Sequence, residues 1–258
     1  MPTVDGPKRR VKTADRTFEV IETVRRLEGA TTAELADELS LATSTAHDYL
    51  ATLEAREYLV EHDGVYDLGL RFLGHGMYAK NRSPASRLVQ PTLDWLAEET
   101  TEMAWFTVEE HGRVVDLNKA AGDRALTVGT WLGERSHMHH LAAGKAILAH
   151  LPEERVREIV DRHGLPAQTE RTITDLDELF AELDRVRDEG VAYNDEETTR
   201  GLRSVGAPVH HAGAVVGAIS VTAPAKRLRG ERYRSEIPDQ ILAATNEIEL
   251  KLLSESDG

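Results

Sequence analysis

Residues 31–68 read TTAELADELSLATSTAHDYLATLEAREYLVEHDGVYDL. The stretch opens on Thr31-Thr32, either of which can cap a helix, with Glu34 placed to close a capping box. A short helix is expected to follow and to bury Ala33, Leu35, Ala36 and Leu39. Ser40-Leu41-Ala42 breaks it. A second helix is expected over Thr45–Arg56, with Ala46, Leu50 and Leu53 at i, i+4 and i+7. Two β-like segments follow, Tyr58–Glu61 and Val65–Leu68, joined at His62-Asp63-Gly64. An Asp-Gly pair between such segments is a strong hairpin signal. Upstream, Thr17–Arg26 has helical spacing, with Phe18, Val20, Ile21, Val24 and Leu27 on one side and Gly29 as a stop.

Three short helices and a hairpin, in that order, form a winged helix-turn-helix. The third helix must bury one face and present the other to a major groove. At about 100° per residue, Leu50 and Leu53 lie within about 40° of Ala46. Ser44, Asp48 and Ala51 point the other way, flanked by Thr45, His47 and Thr52. Together with Thr43 in the turn, Ser44, Thr45, His47, Asp48 and Thr52 are the candidate DNA contacts, because hydroxyls and imidazoles bond phosphates and base edges. Residues 1–16 carry no apolar period and read as a flexible basic arm. Arg9, Arg10 and Lys12 are its candidate DNA contacts, along phosphates or in a minor groove. The alternative for each set is a solvated polar surface.

Composition points the other way at first. The chain of 258 residues has 45 acidic and 31 basic residues, a net charge of −14. Such a chain repels phosphate on average. Residues 1–80 are still net −4, while residues 8–16 alone are +4. Phosphate attraction is therefore concentrated in the arm. Arg outnumbers Lys 24 to 7 and Cys is absent. The absence of Cys excludes disulfides, thiolate zinc sites and a thiol nucleophile. Acidic excess with scarce Lys resembles proteins of high-salt cytoplasms; an ordinary acidic protein from a GC-rich genome is the alternative. No apolar run reaches a membrane span of about 20 residues. No signal peptide is expected from MPTVDGPKRRVKTADR, so a cytoplasmic protein without a membrane partner is expected.

Beyond the hairpin, residues 69–83 read as a linker helix, with Leu70, Leu73 and Met77 spaced helically, and Asn81-Arg82-Ser83-Pro84 marks a boundary. Residues 84–258 mix helices at 85–100, 140–150, 153–162 and 176–189 with strands at 104–109, 113–120, 124–128, 191–196, 206–210 and 215–222. A final helix near Pro238 carries Ile237, Ile241, Ala244, Ile248 and Leu252. Ser220 and Thr222 share one face of a strand. Ala142-Ala143-Gly144 opens a helix with small residues, so its amides are accessible to an anion. Trp131, in a loop between Gly129 and Gly133, is a candidate lid or dimer contact. His137, His139 and His140 invite a metal, but neither Cys nor a well-spaced carboxylate completes a set. No metal, no cofactor and no catalytic nucleophile–base pair is expected.

Residues 17–80 resemble the DNA-binding half of the IclR family of transcriptional regulators. The resemblance rests on TTAELADEL, STAHDYLATLEAREYL and VYDLGL. Asp48 stands where the family commonly has a basic residue, and Ala42-Thr43 where it has Pro-Lys. The remainder resembles the family's effector-binding domain through MHHLAAGKAILAH (138–150), GVAYNDEETTRGLR (190–203), SVGAP (204–208) and GAISVTAP (217–224). The resemblance implies an α+β protein: winged helix-turn-helix at 17–68, linker helix at 69–83, and a GAF-like domain at 84–258 with a largely antiparallel sheet flanked by helices. It also implies a ligand site at Ala142, Ala143, Asn194, Ser204, Ser220 and Thr222. Asn194 stands where the family often has Asp, which favours an anionic ligand, and Ser204 where it often has Cys. The implied partners are double-stranded operator DNA, a small effector such as a carboxylate or sugar acid, and a second copy of the chain in a homodimer or dimer of dimers. The expected function is ligand-responsive regulation of a catabolic operon for sugars or small organic acids. The alternative is a sensor or small-acid enzyme with a vestigial DNA-binding unit.

Overall fold

The computed structural model describes residues 11–126 and 131–256. They form two compact units that divide between Ala79 and Lys80. The first holds α1 (Lys12–Arg26), β1 (Ala30–Thr31), α2 (Thr32–Glu38), α3 (Thr43–Ala55), β2 (Leu59–His62) and β3 (Val65–Leu68); α4 (Arg71–Asn81) runs across the division. Val20, Val24, Leu35, Leu50, Leu53 and Leu59 are its core. Thr31 and Glu34 close the capping box reciprocally, the Thr31 amide donating to the Glu34 carboxylate at 2.8 Å. Asp63 and Gly64 both have positive φ, 52° and 83°, as a two-residue hairpin turn of this kind requires. Two-residue β1 pairs with β3 and makes the wing three-stranded, in the order β1-β3-β2.

Three expectations for this unit are corrected. Helix α1 begins at Lys12, so residues 12–16 are helical rather than part of an arm. Asp15 in the first turn suits the helix dipole, and Arg16 pairs with Glu19 at 2.8 Å. Phe18 is 66% exposed; it lies about 160° around the helix from Val20, outside the buried stripe. Ala33 is exposed for the same reason, being about 160° from Leu35. The stripe Leu70, Leu73 and Met77 is exposed.

The second unit holds α5 (Pro84–Leu88), α6 (Gln90–Thr100), β4 (Met103–Glu110), β5 (Arg113–Ala121), β6 (Arg135–His137), α7 (Ala142–Leu148), α8 (Glu153–His163), α9 (Leu176–Glu189), β7 (Ala192–Asp195), β8 (Leu202–His211) and β9 (Ala214–Pro224). A π-helical turn at Arg232–Glu236 leads into α10 (Ile237–Ser256). The described strands form an antiparallel sheet in the order β6-β5-β4-β9-β8-β7. Alternation sorts its two faces. Phe106, Val205, Ile219 and Val221 pack towards α6 and the Ile237–Ile241–Ile248 stripe of α10. Val114, Ala192 and Ala218 pack on the other face with α7, α8 and α9.

Here too the sequence reading needs correction. The helix expected over 85–100 is split at Val89, where Pro91 supplies no amide to continue the ladder. Residues 124–126 are not a strand, and residues 127 and 128 lie outside the described residues. The Arg124 amide bonds the Thr101 carbonyl and the Ala125 amide the Gly122 carbonyl, so this segment turns instead of joining a ladder. The edge strand beside β5 is β6. Helix α7 starts at Ala142, not His140, because Leu141 is extended. Among the described residues no helix is long and apolar enough to cross a membrane.

Candidate functional site

In the first unit the candidate nucleic-acid surface is the exposed side of α3. Ala46, Leu50 and Leu53 are buried, while Thr43, Ser44, Thr45, His47, Asp48 and Thr52 are exposed. No side chain caps α3, so its first amides remain available for phosphate oxygens. Thr52 spends its proton on the Asp48 carbonyl at 2.6 Å. Lys12 is the first residue of α1. Arg9 and Arg10 lie outside the described residues.

The second unit encloses a cavity of about 470 Å³ on the sheet face that carries α7. Its floor follows from the strand register. Thr222 of β9 lies opposite Ser204 of β8, and Ser204 opposite Asn194 of β7, so the three form one row across three strands. Ser220 lies in the next outward row, between Trp105 of β4 and Gly206 of β8. At Gly206 the α7 backbone comes close: a Cβ there would stand 2.9 Å from the Ala143 nitrogen. Ala142 and Ala143 thus line the cavity directly above the sheet. All six residues expected at the site from the resemblance line this one cavity. Trp131 does not. It is 58% exposed, and its amide points at the Glu134 carboxylate at 3.4 Å.

Asn194 is held firmly. Its Oδ1 accepts from the Glu197 amide at 2.9 Å, and its Nδ2 donates to Thr198 Oγ1 at 2.8 Å. The Thr198 hydroxyl donates to the His140 carbonyl at 2.8 Å and meets His140 Nδ1 at 3.2 Å. Behind this row, Lys145 is 1% exposed and contacts Glu197 at 2.6 Å and Glu182 at 2.9 Å. Burial pushes the Glu197 carboxyl up, against the pull of Lys145. Burial also opposes ionisation of Glu182, but hydrogen bonds from Arg185 and Lys145 prevail and hold it low. Asp195 pairs with Arg171 and Arg203, and Arg200 with Glu170.

The residues alone did not announce the rest of the wall. Trp105 and Thr107 on β4, Asp116 on β5, Arg135 and His137 on β6, and His140 all line the cavity. Burial lowers His140 to about 3, helped by His139 and His137. Burial and the Arg113 charge lower His137 to about 4. Near neutrality these rings are therefore uncharged hydrogen-bonding groups. Burial and the Glu134 charge raise Asp116 to about 7, against the pull of Lys119. The i, i+2 spacing of Trp105 and Thr107 is the one signal that could have placed them, had the neighbouring strand been known. Among the described residues no group of three or more His, Cys, Asp or Glu converges as a metal site.

Comparison with known proteins bears on both units. The family model described as "Bacterial transcriptional regulator IclR C-terminal" matches residues 80–250, and that of the IclR helix-turn-helix domain matches residues 13–63. The chain is 36% identical over 254 residues to the "Probable HTH-type transcriptional regulator ArcR" of Halobacterium salinarum, covering 96% of each chain. It is 29% identical over 251 residues to the HTH-type transcriptional regulator BhcR of Paracoccus denitrificans, covering 96% of this chain and 89% of that one. The crystal structure of Thermotoga maritima IclR superposes with a TM-score of 0.78 at 26% identity, covering 94% of this chain and 99% of that one.

Proposed function

Because the chain belongs to the IclR family of transcriptional regulators, we propose that its cavity binds a small oxygen-rich acid and that α3 and the wing read an operator controlling breakdown of such acids or of sugars. DNA-binding, effector-responsive regulation is the activity of this family. One observation carries the effector reading: the polar row Asn194–Ser204–Thr222, with Ser220 beside it, lines a cavity of molecular size, and Asn194, Ser204 and Ser220 are buried there. Ala142 and Ala143 supply first-turn amides for the acid group. Trp131 is left out of the proposed site. The reading is of a regulator, not an enzyme, acting in the cytoplasm where its DNA is.

A winged helix spans a short site, so two copies on a palindrome are proposed. The uncovered apolar residues Leu73 and Met77 of α4 suit a face that a second copy covers. The test is operator protection across a salt series. Protection of two half-sites is expected, abolished on replacing Ser44 and His47 by Ala. No sequence-specific protection at any salt refutes the reading.

The charge pattern sets the salt dependence. Asp48 removes phosphate attraction from α3, and the basic residues of 8–16 supply it instead. A shallow slope of log K against log salt is expected. Deleting residues 1–12 should flatten it further, by about 0.9 for each phosphate that the arm neutralises. A slope unchanged by the deletion would place the neutralising residues elsewhere. The acidic, Lys-poor composition supports a high-salt cytoplasm, where such binding is useful.

The cavity reading has its own check. Ser220→Ala with Thr222→Val should weaken effector binding by about 1–3 kcal/mol for each buried hydrogen bond removed. Calorimetry on acids found by a thermal-shift screen measures it, and an unchanged affinity would move the site.

A further inference from the structure

The two ends of the cavity differ in construction. At the β7 end Asn194 and Thr198 are tied to their neighbours by hydrogen bonds. At the β4–β5 end the Thr107 hydroxyl is not. Thr107 is 2% exposed, and its hydroxyl has no hydrogen-bond partner among the described residues. A buried hydroxyl left unpaired weakens the fold, so an explanation in function is called for. Thr107 lines the cavity, and its neighbour across the strands is Asp116, which lines it too. A register shift between Phe106 and Thr107 separates this pair from the regular ladder towards Met103; such irregularities re-aim side chains beside binding sites.

Among the charged residues that line this end, acids outnumber bases. Glu134 lines the same end. Arg135 is already committed, to the Glu110 carboxylate at 2.7 Å and the Glu110 carbonyl at 2.8 Å. Lys119 stands over the Trp105 ring at 5.4 Å. A ligand carboxylate is therefore disfavoured at this end once Asp116 ionises, above about pH 7, whereas a hydrogen-bond donor is welcome.

We propose that Thr107 and Asp116 form a second subsite of the cavity, which takes an O–H or N–H group at the end of the effector remote from its carboxylate. This rests on the reading of the cavity as the effector site. A hydroxyl would donate to Asp116 and accept from Thr107; an ammonium would donate to both. From β4 to β8 is two strand spacings, about 10 Å, and side chains reach inwards from both ends. A short-chain or monocyclic acid with a distal donor bridges them, and the acidic end fixes which way round it lies.

The test uses the full chain and three matched series of straight-chain acids, four to seven carbons long, ending in a methyl, a hydroxymethyl or an aminomethyl group. Calorimetry should find the best hydroxy or amino member at least about tenfold tighter than its methyl counterpart, and the two series tell hydroxyl from ammonium. Thr107→Val should erase that preference. The same variant, without ligand, should melt no lower than the natural protein, since a methyl replaces an unpaired hydroxyl; a purely structural role for Thr107 predicts the reverse. A methyl series that binds as tightly as the others overturns the subsite, as does a preference that survives Thr107→Val. Weakening by Ser220→Ala with Thr222→Val, but not by Thr107→Val, overturns the subsite alone and leaves the cavity reading standing. Binding indifferent to all three substitutions, or none by any series, overturns both.

Discussion

Replacing Lys145 with methionine lowers the stability of the effector-binding unit by about 3–5 kcal/mol, the usual cost of breaking a buried ion pair from one side. Lys145 is the cation between two carboxylates, Glu197 at 2.6 Å and Glu182 at 2.9 Å. Methionine fills the volume, so poorer packing is not the cause. The cost comes from Glu197, which is buried and would lose its cation; its Oε2 already has no hydrogen-bond partner among the described residues. All three tryptophans, Trp95, Trp105 and Trp131, lie in this unit, so fluorescence during urea unfolding reports on it alone. Adding Glu197→Gln to the methionine variant should recover a large part of the loss. A single variant within about 1 kcal/mol of the natural protein would mean that water reaches the pair.

The second large effect is expected at Gly144. Helix propensity alone favours alanine over glycine by about 1 kcal/mol. Tertiary structure decides against it. A Cβ at Gly144 would stand 2.2 Å from the Met138 carbonyl oxygen and 2.7 Å from the Met138 Cα. These are backbone atoms and cannot rotate away. Gly144→Ala should cost a net of about 1–3 kcal/mol, as overpacking does. It should also abolish effector binding, because the cavity walls at His137 and at Ala142-Ala143 lie on either side of the forced contact. Urea unfolding followed by tryptophan fluorescence, with calorimetry, measures both. An alanine variant as stable as the natural protein would show that the crossing relaxes.

How much of this was legible in residues follows from the range of the forces involved. The winged unit is built from local patterns. Ala46, Leu50 and Leu53 repeat at helical spacing, Thr31 and Glu34 close a box three residues apart, and Asp63-Gly64 turns a hairpin. The discrepancies there are at the margins. Two-residue β1 is too short to carry a period, and Phe18 is apolar yet sits at a helical angle that the buried stripe does not reach. The effector unit depends on pairing between distant segments. That Ser220 and Thr222 share a face is readable from alternation, but that Thr222, Ser204 and Asn194 form one row is a fact of register. The resemblance to a family supplied those positions. It supplied neither Thr107 nor Asp116, which meet only because β4 and β5 pair with an irregular register. The strand expected at 124–128 is absent at 124–126, and Trp131 is exposed and does not line the cavity, because an apolar or aromatic residue in a loop does not say which way the loop turns.

One hydroxyl described above settles a proton. Thr198 has a single hydrogen to give, and it goes to the His140 carbonyl. Asn194 Nδ2 and His140 Nδ1, which both meet the same oxygen, must then both be donors. A neutral imidazole has one proton, so His140 is the Nδ1–H tautomer and its Nε2 is a bare lone pair. With burial holding this ring's pKa at about 3, that state persists throughout the physiological range. Towards any molecule that reaches its Nε2, His140 is a pure acceptor.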